Sequence, residues 1–178
     1  MNQTKVKHSL LFSPKGFTLM EVIVVVAIIG ILAAIAIPSF RGFTRSSQVA
    51  SAANELVSAL NLARSEAVTR STPVSVCKRN AAGTGCVTAG NWDQGWIVFN
   101  DANGNGAVNT GDEIIRVYSA KTGGTTMVGG ASVANFISYA PTGFANITGT
   151  DAQRTITVNL DARTLLVRVS ANGRVSTQ

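Results

Sequence analysis

The sequence predicts an α+β protein, in which a long amino-terminal helix, apolar enough in its first part to cross a membrane, carries an antiparallel β-sheet domain. Three observations lead there. From Val22 to Ile37 no charged or strongly polar side chain interrupts an apolar run. Beyond it, apolar residues recur at three- and four-residue spacing until about Ser71, the mark of one buried helix face. After Pro73 the pattern changes to short β-branched or aromatic runs separated by glycine-rich turns.

The apolar run comes first. About 20 helical residues at about 1.5 Å each cross the hydrocarbon core of a bilayer, and Phe17 to Ile37 meets that length. Lys5, Lys7 and Lys15 precede it, which predicts a leader that stays cytoplasmic and an exported remainder. A secretory signal cut near Ala36 would have a shorter apolar region, about 7–15 residues, and no acid within it. A plain membrane anchor leaves Glu21 unexplained. A carboxylate at membrane depth costs on the order of 2–3 kcal/mol, so it calls for a partner.

Pro38 removes one bond from the helical ladder, and a kink is expected there. Val49, Ala52, Ala53, Leu56, Ala59, Leu60, Ala63 and Ala67 then line one face. Arg41, Arg45, Glu55, Arg64, Glu66 and Arg70 lie off that face and read most simply as a solvated surface. Thr72-Pro73 ends the helix, because the residue before a proline is pushed out of helical geometry. Strands are expected at 74–77, 95–100, 113–118, 135–140, 154–160 and 165–170, packed as an antiparallel sheet against the helix.

Composition narrows the function classes. The chain has 178 residues, 17 glycines and only 13% charged side chains, which suits a small exported β-rich domain. Its formal charge is +6, but removing the three leader lysines leaves 12 basic against 9 acidic residues. A balance of about +3 is weak support for a polyanion partner. His8 is the only histidine and lies in the leader. Neither a nucleophile with its base nor a phosphate-cradling glycine motif can be assembled, so an enzyme reading and a cofactor find no support.

Two further features have competing readings. In an exported chain, Cys77 and Cys86 read as a disulfide closing a short loop, against the alternative of two reduced thiols. The segment Asp101-Ala102-Asn103-Gly104-Asn105-Gly106 matches the first half of a calcium loop, with Asp112 where an EF-hand has glutamate. Asp101, Asn103, Asn105 and Asp112 would be the ligands of a structural calcium ion. Asx and glycine residues are equally what a tight turn between strands requires.

The stretch Gly16-Phe17-Thr18-Leu19-Met20-Glu21, followed by the apolar run and Pro38, closely resembles the prepilin signal of type IV pilins and type II secretion pseudopilins. Cys77 and the segments 92–106, 111–116 and 165–178 look like the GspH/FimT branch of that group. The resemblance implies the ladle-shaped pilin fold, with residues 1–16 as leader, 17–37 as transmembrane and filament-core helix, 38–71 as its amphipathic continuation and 72–178 as the globular domain. It implies cleavage after Gly16 by a prepilin peptidase, N-methylation of Phe17, and pairing of Glu21 with the terminal amine of a neighbouring subunit. The expected partners are other pilins or pseudopilins through the helix, and the inner membrane, with the globular domain in the periplasm until assembly.

FimT-like proteins of competent bacteria bind DNA through a carboxy-terminal glycine-arginine-any-arginine motif. Here Gly173-Arg174-Val175 is followed by Ser176, so the second arginine is missing. Arg154, Arg163 and Arg168 joining Arg174 in a shallow basic patch would be the remaining route to DNA; the alternative is that they solubilise sheet edges. Three functions follow as expectations: a minor pilin that joins or primes a pilus, a minor pseudopilin H of a type II secretion system, and a pilus-associated DNA receptor.

Overall fold

The computed structural model describes residues 16–178. The leader before Gly16 lies outside the described residues. Helix α1 runs from Leu19 to Arg70 and continues through Pro38. Eight strands follow: β1 Val74–Lys78, β2 Trp96–Asn100, β3 Ile114–Tyr118, β4 Thr126–Gly129, β5 Phe136–Tyr139, β6 Thr155–Leu160, β7 Arg163–Val169 and β8 Val175–Thr177. The chain divides into two compact units, one ending at Arg41 and the other running from Gly42 to Gln178.

In the first unit no other described residues cover the helix. Ile23, Ile29, Leu32 and Ile35 are all more than half exposed, so no packing among the described residues explains why this sequence is apolar. The second unit is built the ordinary way. Val49, Ala52, Ala53, Leu56, Ala59, Leu60, Ala63 and Ala67 are all buried, as the spacing predicts. They share one core with Trp92, Trp96, Tyr139, Ile156, Val158 and Val167 from the strands and loops. Burying a leucine such as Leu56 or Leu60 contributes about 1.5–3 kcal/mol.

The β-rich region forms two four-stranded antiparallel sheets where a single sheet was expected, with orders β3-β2-β1-β5 and β4-β6-β7-β8. Ala145 links them, since it bridges Tyr139 at the end of β5 and donates its N–H to the carbonyl of Ala171 beyond β7. The six expected strands are all present, β7 beginning two residues earlier at Arg163. Strands β4 and β8 have no counterpart among the expected runs. β4 buries only Met127 and β8 is three residues long, so neither carries a periodic signal.

The first sheet is covered on both faces. Val74 and Val76 of β1 join the helix-packed core. Cys77, Ile97 and Phe99 point the other way into a second small core with Cys86, Val108, Ile114 and Phe136. The Cys77–Cys86 disulfide is formed, with 5.6 Å between the Cα atoms. It ties the 79–86 loop over this outer core, and by loop-closure entropy it contributes about 2–3 kcal/mol.

Candidate functional site

The amino-terminal site begins with a helix cap. Thr18 Oγ1 accepts the backbone N–H of Glu21 at 3.2 Å, and the Thr18 carbonyl accepts that of Val22. Thr18-Leu19-Met20-Glu21 therefore reads as a capping box that starts α1, and Glu21 stands in the first turn, where the helix dipole favours an anion. Thr18 is a capping residue that the sequence reading passed over, although the Thr-x-x-Glu spacing was its signal. Phe17, 80% exposed, and Glu21 are both turned outward. A Cβ added to Gly16 would meet nothing within 4 Å, so the fold itself has no need of glycine there.

The charged residues off the apolar face of α1 are not a merely solvated surface. Arg70 donates to Glu66 at 2.6 Å and reaches Glu113, before β3, at 2.7 Å. Glu55 pairs with Lys121, and Arg45 with Asp161 at 3.0 Å. Arg64 donates to the carbonyls of Gly143 and Asn172. The helix is thus clasped to the loops on either side of the sheets. The Arg70 pair holds the Glu113 carboxyl below the usual carboxylate range. Burial pushes the Lys78 ammonium down; it donates to the carbonyls of Thr88 and Gly90 and so fixes the end of the disulfide loop.

The 101–112 loop is organised by its own hydrogen bonds. Asp101 is fully buried; one of its oxygens accepts the N–H of Asn105, and the other accepts the N–H of Gly106 and the hydroxyl of Ser75. Asn103 accepts the N–H of Asn105, Asn105 that of Ala107, and Asp112 that of Asn109. The oxygens a calcium ion would need already face N–H and O–H donors. All four residues thus accept hydrogen bonds within the loop, as the turn reading requires. Asp101, which reads as a ligand in the sequence, here joins the loop to β1.

Of the four arginines considered for DNA, Arg163 and Arg168 stand at opposite ends of the β6–β7 pairing. Arg154 and Arg168 share a single carboxylate, Asp151, at 2.8 and 3.1 Å. Arg163 begins β7 at the opposite end of the β6–β7 pairing, opposite Leu160. Arg174 lies in the turn before β8, where Asn172 accepts its N–H. Ser176 pairs with Arg168 across β7 and β8. Gly173 has a structural role of its own: at φ +79° a Cβ would stand 2.0 Å from the carbonyl oxygen of Gly143, the same oxygen that receives Arg64. The glycine of the presumed motif is required by this junction between α1 and two turns.

An exposed apolar helix with a capped acid at its start, joined to a two-sheet α+β domain, defines a pilin-type subunit. Comparison with known proteins agrees. The family described as Type II transport protein GspH matches residues 52–173, and the prokaryotic N-terminal methylation motif matches residues 12–37. The chain belongs to the GspH family. It is 57% identical over 54 residues to a fimbrial protein of Pseudomonas aeruginosa, covering 30% of this chain and 34% of that protein. It is 58% identical over 41 residues to the type IV major fimbrial protein FimA of Dichelobacter nodosus, covering 23% and 26%. The chain thus spans about a third or less of the length of these curated relatives. The crystal structure of the type IV minor pilin FimU of Pseudomonas aeruginosa shares the fold, with a TM-score of 0.55 at 18% identity over 76% of this chain and 92% of that one. Proteins of this class are structural subunits.

Proposed function

We propose that the protein is a minor type IV pilin, stored in the bacterial inner membrane with its globular domain in the periplasm and then drawn into a filament. The observation that carries this reading is the first half of α1, apolar along its length and exposed among the described residues. Lipid satisfies it before assembly and neighbouring helices satisfy it afterwards. Cleavage by a prepilin peptidase behind Gly16 would create a new amine at Phe17, later methylated, four residues before Glu21. That Gly16 has no steric reason within the fold to be glycine supports a demand made by a processing enzyme. The carboxylate, costly alone in lipid, pairs with the amine of a neighbour and sets its register. Pro38 serves as a bend where the helix leaves the apolar layer.

Mass spectrometry of the membrane-extracted protein tests this directly. The mature chain is expected to start at N-methylated Phe17, and Glu21→Val is expected to be processed yet absent from sheared filaments. An intact leader, or cleavage near Ala36, would sink the proposal. The family description favours a second machine, the pseudopilus of a type II secretion system. Deletion separates the two, since loss of twitching points to a pilus and loss of exoprotein secretion to the secretion system. A DNA role rests on few free charges, because Asp151 engages two of the four arginines. Arg174→Ala that leaves DNA retention unchanged across a salt series would remove it.

A further inference from the structure

The second unit has a small mixed cavity between α1 and the start of β7, and we propose that it receives the phosphate headgroup of an anionic phospholipid while the protein is held in the membrane. The proposal rests on the membrane-spanning reading above. The cavity, about 230 Å³, is lined by Ser46 and Val49 of α1 and by Arg163, Thr164 and Leu165 at the start of β7. Two aliphatic side chains, two hydroxyls and one guanidinium are what the junction of a glycerol backbone and a phosphate presents in reverse.

The charges around it single out Arg163. Asp161, at the tip of the β6–β7 turn with φ +53°, is paired with Arg45 at 3.0 Å. Among the described residues, no ion pair or hydrogen bond engages the Arg163 guanidinium, which is exposed. Ser46 donates its hydroxyl to the carbonyl of Gly42, leaving oxygen lone pairs only, whereas Thr164 accepts from Asn159 and keeps its hydroxyl proton to give. Arg163 and Thr164 therefore supply the donors for a phosphate.

The occupant follows from what the helix is joined to. Phe40 and Phe43, each about two-thirds exposed, stand at three-residue spacing just past the apolar run, and Phe is among the residues that helices bury at the boundary of headgroups and acyl chains. Ser46 is three residues further, about 4.5 Å along a helix. A long arginine side chain in that layer reaches back to headgroups by snorkelling. Each basic side chain near an anionic surface gives about a fivefold preference for it.

The test uses the full chain in nanodiscs of phosphatidylcholine alone and of phosphatidylcholine with phosphatidylglycerol, read by amide hydrogen exchange over residues 160–166, with vesicle flotation alongside. Slower exchange in the phosphatidylglycerol discs, abolished by Arg163→Gln and kept by Arg174→Gln, is the expected result. A chain that floats with both vesicles but exchanges identically in both discs overturns the headgroup contact alone, as does a difference that survives Arg163→Gln. A chain that floats with neither overturns the membrane-spanning reading and the contact with it.

Discussion

Residues 19–41 and 42–70 belong to one helix, yet they satisfy their apolar side chains in different solvents. In the first stretch large β-branched residues point in every direction and stay exposed; in the second, small and large residues alternate on one face and are buried against two sheets. A helix apolar all round needs lipid or other helices, while a one-faced helix needs only its own domain. Under the function proposed above, this difference is what would let the same element leave a membrane for a filament while its domain stays folded. The charged contacts of Arg45, Glu55, Arg64 and Arg70 with the domain belong to this one-faced half.

Substitutions on either side should break this comparison or sharpen it. The largest effect is expected at the buried face: Leu56→Ala costs about 2–5 kcal/mol through lost burial and a cavity. Ile29→Ala in the exposed half stays within about 0.5 kcal/mol. Thermal unfolding of the full chain in detergent, followed by near-ultraviolet circular dichroism, measures both, and equal losses would end the distinction. Replacing Cys77 and Cys86 together by serine removes about 2–3 kcal/mol. Its hydrogen-exchange signature should be confined to the outer core around Ile97 and Phe99, leaving the helix-packed core protected.

Gly173→Ala is next, at about 1–3 kcal/mol from its left-handed backbone, with the Gly143 carbonyl displaced as well. If Gly173 belonged only to a DNA motif, stability would not change. The smallest effect concerns Glu113. Pairing with Arg70 holds its carboxyl below the ordinary value of 4.5, so the stabilisation is complete above that pH and is lost as pH falls through the depressed folded value. Glu113→Gln should flatten the acid end of a melting-temperature profile and lower stability slightly at neutral pH, as expected of an exposed pair.

Read from the residues alone, the membrane-length run, the buried helix face, the six longer strands and the Cys77–Cys86 pair were legible, because periodicity and composition report burial directly. Strands β4 and β8 were not, since each owes its place to partners distant in sequence. Candidate sites were harder still. Asp101 and Arg168 have the residue types of a metal ligand and a phosphate contact, but local sequence cannot tell whether a lone pair or a guanidinium already has a partner.

The sequence by itself determined that this chain has an acid-bearing apolar helix and an α+β domain, because those depend on side-chain chemistry at fixed local spacing. Tertiary structure alone decided that Gly173 serves a backbone junction, that Asp101 faces donors and that Asp151 holds two arginines while Arg163 stays free. Those outcomes depend on which groups folding brings within hydrogen-bonding distance, and that is not written in any one segment.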